Sequence, residues 1–270
     1  MSFEVIRKGR LEYLQSTLLQ VPGVVHCFST RYGGVSAGHL ASLNLGIHRG
    51  DEPENVRENY RILAQAVGFR PERLVFTKQL HTDIVAPVDS SDCGDGLERE
   101  VTQPRDGLVT DEAEVALIAF SADCTPILLL DPVNRVISSV HSGWRGTAAG
   151  IVCRAVEQME RYGCRPENIR AAIGPCIGPC CFETHRDVPD VMVSQLGVEA
   201  LQAITDSQTP RKYHVDLKKI NELWLRRMGV TQIDICPDCT ACQPERFWSH
   251  RRVGNARGSL AAIIMMTKES

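Results

Sequence analysis

Three side chains with metal-binding or nucleophilic chemistry stand at the ends of apolar runs: His81 in KQLH, Cys124 in SADCTP and His141 in HSGWRGT. A cysteine and a histidine brought close by neighbouring strands serve either as nucleophile and base or as two ligands of one metal. A buried thiol beside a hydrogen-bonded imidazole is the plain alternative, and Cys124 and His141 by themselves leave all three open. The surrounding turns tilt the balance towards chemistry, because they crowd Ser, Asp, Gly and Arg against strand ends where a purely structural connection needs few polar groups. With His81 added, one thiolate and two imidazoles form a donor set that suits zinc, and three protein ligands leave a fourth position for water or substrate. Copper is the alternative metal.

The elements that must carry these residues are legible in part. PENVRENYRILAQAVG spaces Val56, Tyr60, Leu63 and Val67 for one helical face, with Pro53 at its start and Gly68 just past its end, which predicts a helix over 53–68. Short strands are expected at 74–76 and 84–88 around KQLH, and the Asp/Gly-rich stretch 90–106 reads as an exposed loop. The centre predicts strands at 115–120, 127–130 and 135–140, then a helix from about 148 to 162. Cys124 thus lies in a tight connection between two buried strands, and His141 closes the third strand before a Gly-rich turn. A strand at 169–173, helices at 188–203 and 217–228, and strands at 232–235 and 260–266 follow.

Composition narrows the class of function. The chain has 270 residues, 43% hydrophobic and 23% charged, enough apolar material for a sizeable core. A formal net charge of −3 without long single-sign runs gives no reason to expect nucleic acid or an acidic membrane as partner. The N-terminal MSFEVIRKGRLEYLQ lacks the apolar core of a signal peptide, and no run is long enough to span a bilayer, so a cytoplasmic protein is expected. Eleven cysteines in a large chain without an export signal are expected to be mostly free thiols. No repeat or linker divides residues 1–270, which read as one catalytic domain.

Two further cysteine clusters compete for attention. Cys236, Cys239 and Cys242 in CPDCTACQ invite a second metal or an iron–sulfur cluster, although the only obvious fourth ligand, His250, follows at an unusual distance. Cys176, Cys180 and Cys181 sit in GPCIGPCC, a turn whose prolines and glycines bring backbone close to something, with packed thiols as the expected role.

FSTRYGGVS, SLNLG, QLH, DGLVT, SADCTP, HSGWRGT, IGPCIGPCCFE and FWSHRR occur in order from about residue 24 to 266. Together they resemble the YfiH-type laccase-domain family, also called the multicopper polyphenol oxidase or purine nucleoside phosphorylase family. The resemblance implies an α+β fold, a single domain of four layers, α/β/β/α, with mixed β-sheets. It implies that His81, Cys124 and His141 bind zinc, and that the chain performs phosphorolysis of adenosine, inosine, guanosine and methylthioadenosine with some adenosine deamination. Near the C-terminus VGNARGSL stands where many relatives carry a TGR-like sequence, which puts the contribution of Arg257 in question.

Phosphorolysis needs cations to hold phosphate against the anomeric carbon, stabilisation of charge developing on the purine, and polar partners for the ribose. Arg145 in the GWRG turn and Arg57 on the first helix are the phosphate candidates, since a planar guanidinium grips two oxygens at once. Gly143 and Gly146 are expected to let backbone approach a ligand. Asn44 and Ser121 are candidate substrate contacts, and Asp123 is a candidate carboxylate to orient a ligand histidine. The expected partners are a small nucleoside and phosphate, on a monomer or small homo-oligomer. Two other reaction classes remain. A copper phenol oxidase needs additional histidine-rich copper sites, and this chain has eight histidines without a His-x-His pair. A cysteine hydrolase would use Cys124 as nucleophile and His141 as base.

Overall fold

Strands buried on both faces need nearly continuous apolar sequence, and the alternation of their side chains then feeds two different cores. The Thr125–Asp131 strand shows this directly: all seven residues are buried, with Leu128 and Leu130 entering one hydrophobic cluster and Ile127 and Leu129 another. The computed structural model describes residues 3–268. It contains two six-stranded sheets and one three-stranded sheet.

The first sheet runs, edge to edge, Phe3–Lys8, Leu11–Ser16, Val24–Ser29, Leu260–Met266, Ala116–Ser121 and Leu74–Phe76. The second runs Gln232–Ile235, Arg170–Ile173, Thr125–Asp131, Val136–Ser142, Gly107–Thr110 and Val85–Pro87. Both are mixed. Leu74–Phe76 pairs parallel with Ala116–Ser121 while Leu260–Met266 pairs antiparallel with it, and Val85–Pro87 pairs parallel with Gly107–Thr110. Phe28, Leu117 and Ile264 of the first sheet meet Leu108, Leu128, Ile137 and Ala172 of the second. On the outer face of the first sheet, Cys27, Ile118 and Ile263 are covered by Val56, Tyr60, Leu63 and Val67 of the helix Pro53–Val67. On the outer face of the second, Ile127, Leu129, Val140 and Ala171 are covered by the helix Ile151–Glu160 and by Leu225. The result is the helix, sheet, sheet, helix layering that the family resemblance implies. Leu128 is fully buried between the sheets, so Leu128→Ala is expected to cost about 2–5 kcal/mol, read as a lowered denaturant midpoint at unchanged slope.

The three-stranded sheet Glu183–Thr184, Tyr213–Val215, Ile204–Asp206 packs with the helices Asp187–Leu196 and Leu217–Arg227. It forms a flank beside the second sheet. Among the described residues no helix is long and apolar enough to cross a membrane.

Several elements depart from the sequence reading. The single helix expected over 148–162 is two helices, Trp144–Ala148 and Ile151–Glu160, separated by Gly150 at φ 71°. The helix expected over 188–203 stops at Leu196, because Gly197 adopts φ 82° and ψ −164°, and continues as a 3-10 turn, Val198–Ala203. The N-terminal strands Phe3–Lys8, Leu11–Ser16 and Val24–Ser29 were not anticipated. The 90–106 stretch is not simply an exposed excursion. Its end turns inward, with Arg105 buried and paired to Asp95 at 2.9 Å, and with Asp106 fully buried.

Candidate metal centre

Three strand ends converge on one point. His81 follows Leu74–Phe76 in a segment held by Gln79, whose side-chain oxygen accepts from the Phe120 backbone N–H at 2.7 Å while its amide donates to the Phe120 carbonyl at 3.0 Å. Gln79 therefore pairs with Ala116–Ser121 as a further strand residue would. Cys124 lies in the turn between Ala116–Ser121 and Thr125–Asp131, its carbonyl accepting from the Ser121 hydroxyl. His141 is the penultimate residue of Val136–Ser142, opposite Pro126 in register.

The donor atoms of His81, Cys124 and His141 all lie within 4.8 Å of one another. Cys124 Sγ is 3.7 Å from His81 Nε2, and the two imidazole rings meet edge-on with centroids 4.9 Å apart. Asp106, the first residue of DGLVT, organises this group. His141 Nδ1 donates to Asp106 Oδ1 at 2.8 Å, and the His141 N–H donates to the Asp106 carbonyl at 2.7 Å. The same carboxylate accepts from the backbone N–H groups of Leu80, His81 and Thr82 and from the Thr82 hydroxyl at 2.7 Å. These bonds secure His81, whose φ of 61° is otherwise uncommon for a residue with a Cβ. With Nδ1 committed to Asp106, the His141 nitrogen facing Cys124 is Nε2.

Burial alone would raise the Cys124 thiol, but His141 and His81 beside it bring it down to about 6. Burial would lower His141, yet Cys124 and Asp106 hold it up at about 9. Burial likewise works against ionised Asp106, and its bonds to His141 and Thr82 outweigh that, leaving it at about 2. Cys124 and His141 thus favour each other's charged forms, and a divalent ion bound by both would release the imidazole proton. The residues fit a metal on three counts: the soft-to-borderline donor set, the convergence of its three donor atoms, and the buried carboxylate that fixes one imidazole in the ligating tautomer.

Gly143 provides the space. A Cβ there would lie 2.5 Å from His81 Cδ2 and 3.4 Å from Cys124 Sγ, and one at Gly146 would lie 2.9 Å from the Thr82 carbonyl. Both glycines thus admit the QLH segment and not, as the sequence suggested, a ligand.

His81 and Cys124 open onto a cavity of about 280 Å³, near the lower end of small-molecule sites at roughly 300 Å³. Trp144, Ile177, Phe182 and Leu217 give its lining apolar surface, and Arg251 and Arg257 give it positive charge, with His250 beside them in the lining. Arg257 is half-buried. Its Nη1 donates to the Gly258 carbonyl at 3.0 Å, and its buried Nε has no hydrogen-bond partner. Burial pulls it down to about 10 and the neighbouring Arg49 adds to this, against the attraction of Asp123 and Cys124. Arg49, also lowered by burial, donates to the Ser259 hydroxyl at 3.3 Å.

The other sequence candidates fall elsewhere. Arg145 is exposed and stacks on the Trp144 ring at 4.2 Å, outside the cavity lining. Arg57 is an exposed helix residue 3.6 Å from Glu54. Asn44 is fully buried, bonded to Gly46, Asp51 and the Ser259 N–H, and so anchors the loop that carries Arg257. Asp123 lines the cavity but orients no histidine. Its carboxylate accepts from Thr240, Ser249 and the Arg251 N–H, and Asp106 takes the role expected of it. Cys176 and Cys236 are fully buried among other side chains.

The family model for multi-copper polyphenol oxidoreductase laccase matches residues 25–267. A purine nucleoside phosphorylase, YlmD, of Geobacillus stearothermophilus is 38% identical over 252 residues, 92% of each chain. The purine nucleoside phosphorylase LACC1 of Homo sapiens is 33% identical over 95% of this chain and 59% of its own length. The crystal structure of YlmD from Geobacillus stearothermophilus superposes with a TM-score of 0.91 at 36% identity, over 98% of this chain and 99% of that one.

Proposed function

The chain belongs to the multi-copper polyphenol oxidoreductase laccase family, and from that premise we propose that it is a zinc-dependent purine nucleoside phosphorylase that splits adenosine, inosine, guanosine and methylthioadenosine with phosphate, with adenosine deamination as a side activity. The observation that carries the reading is one cavity whose lining combines Trp144 and Phe182, the half-buried Arg257 and two of the three metal donors, His81 and Cys124. A purine is a flat apolar slab that Trp144 and Phe182 can sandwich or flank. Arg257 and Arg49, with no carboxylate at ion-pair distance among the described residues, offer the charge a phosphate dianion requires. Asp106 holds the His141 Nδ1 proton, and Ser121 fixes the Cys124 carbonyl, so the donor atoms stay aimed while substrate enters. A zinc ion held by His81, Cys124 and His141 would supply Lewis-acid polarisation at that end of the cavity. Free thiols at all eleven cysteines suit a reducing cytoplasm as its location.

Adenosine and inosine incubated with and without phosphate, with base, sugar 1-phosphate and inosine measured by mass spectrometry, test this. Base and sugar 1-phosphate are expected only with phosphate, and no product from zinc-loaded protein removes the reading. Arg257→Ala is expected to raise KM for phosphate about 10- to 100-fold, the loss of one or two charge-assisted hydrogen bonds of about 1.5–3 kcal/mol. Initial rates over a phosphate series measure it.

A second reading draws on the Cys124, His141, Asp106 chain, which resembles a nucleophile, base and orienting carboxylate. It predicts hydrolysis that survives a chelator and stops on alkylation of Cys124. Copper phenol oxidation has weaker support. Among the described residues the two donor clusters contain at most two histidines, and no methionine lines the cavity as an axial ligand.

A further inference from the structure

Cys239 and Cys242 do not find a third ligand in Cys236 or a fourth in His250. They meet Cys180 and Cys181 from the GPCC turn, and the four Sγ atoms all lie within 4.8 Å of one another. Cys242 Sγ is 3.4 Å from both Cys180 Sγ and Cys181 Sγ. We propose that these four cysteines form a second, structural zinc site that clamps the GPCC turn, whose neighbours Ile177 and Phe182 line the cavity, to the Cys239–Cys242 turn.

The dimensions agree with that assignment. Zinc–sulfur bonds of about 2.3 Å place tetrahedral sulfurs about 3.8 Å apart, and two of the pairs are already at 3.4 Å. A disulfide needs about 2.05 Å, so neither of these pairs is bonded, and all four thiols are free. The backbone is arranged to receive thiolates. Gly178 N–H donates to Cys239 Sγ at 3.1 Å, and a side chain at Gly178 would crowd Cys180 Sγ and Cys239 Sγ at 3.3 and 3.5 Å. Zinc entering the cluster displaces the thiol protons and neutralises the four sulfurs together.

The clamp reaches the cavity through covalent neighbours. Phe182, directly after Cys181, and Ile177 line it. Thr240, between Cys239 and Cys242, donates to Asp123 at 2.6 Å, one residue from Cys124. Arg251, also in the lining, donates to the Cys181 carbonyl at 2.9 Å. Closing two distant turns on one ion therefore fixes the segment that brings Ile177 and Phe182 to the cavity, whatever reaction the cavity performs.

The test is metal content by mass spectrometry in protein purified under reducing conditions. A His81→Ala, His141→Ala double variant is expected to retain one zinc per chain, and adding Cys180→Ser and Cys242→Ser is expected to remove it. Both substituted cysteines are exposed, and circular dichroism establishes that the fold persists. In the histidine variant, alkylation mapped by peptide mass is expected to reach Cys180, Cys181, Cys239 and Cys242 only after a strong chelator is added, a readout that leaves the cluster itself unsubstituted. Cobalt reconstitution of the histidine variant is expected to give the visible spectrum of a tetrahedral tetrathiolate. Zinc absent from the histidine variant, iron with acid-labile sulfide, or a chain lighter by two hydrogens from a disulfide would each overturn the proposal.

Discussion

Asp106→Asn is expected to lower metal affinity about 10- to 100-fold and to reduce catalytic turnover at subsaturating metal in proportion, although Asp106 touches neither metal nor substrate in the proposed arrangement. The reason is that its two oxygens receive five donors. Oδ1 takes the His81 N–H and His141 Nδ1, and Oδ2 takes the N–H groups of Leu80 and Thr82 with the Thr82 hydroxyl. Asparagine supplies one acceptor oxygen and one amide nitrogen, so in either orientation the nitrogen faces donors it cannot satisfy. Loss of the carboxylate also removes the charge that helps hold His141 up at about 9. Breaking one side of a buried charged network costs about 3–5 kcal/mol, which predicts a lowered melting temperature as well. Zinc competition titrations and thermal melts measure the two effects separately. Unchanged affinity would show that the metal ligands hold their own geometry.

How much of this site was readable depended on whether its logic was local. His81, Cys124 and His141 were legible because each stands at a strand end beside polar turn residues, and the structure brings their donor atoms together. Asp106 was not, because a charged stretch with several glycines looks like an exposed loop, and nothing in DGLVT announces that its first residue is buried. Arg257 carries only a questioned role in the sequence and Arg49 carries none, for a related reason: their partnership joins residues more than two hundred positions apart, through Ser259 and Asn44. The Cys239 and Cys242 pair was visible as a spacing, but its partners arrive from a turn about sixty residues earlier.

The fold divides the same way. Helices Pro53–Val67 and Leu217–Arg227 carry their periodicity and end signals within one turn of the chain, and the central strands carry unbroken apolar runs. Phe3–Lys8 lies at the edge of its sheet with four of its six residues exposed, so its sequence holds no continuous apolar run to signal a strand. The helix breaks at Gly150 and Gly197 depend on left-handed or extended glycine backbone that no neighbouring residue requires.

Gly143→Ala separates fold from function most sharply. Gly143 has φ −68°, an angle alanine adopts freely, so its backbone supplies no reason for instability. Its position at the start of the short Trp144–Ala148 helix makes alanine worse than glycine as a cap by well under about 2 kcal/mol. The new methyl, however, would stand 2.5 Å from His81 Cδ2, closer than van der Waals contact allows, with Cys124 Sγ 3.4 Å away. Something must move. Cys124 is fixed by its turn, and His81 is exposed, so the His81 ring is the group free to rotate outward. That rotation withdraws one of three ligands while leaving the sheets and helices intact. The expected result is a melting temperature within a few degrees of wild type, metal affinity reduced by two orders of magnitude or more, and phosphorolysis reduced with it. Removing the ring altogether should then make the methyl harmless: His81→Ala and the Gly143→Ala, His81→Ala pair are expected to bind metal equally weakly, a double-mutant cycle in which the two substitutions do not add. Additive losses would mean that the methyl acts on Cys124 or on the Trp144 helix instead.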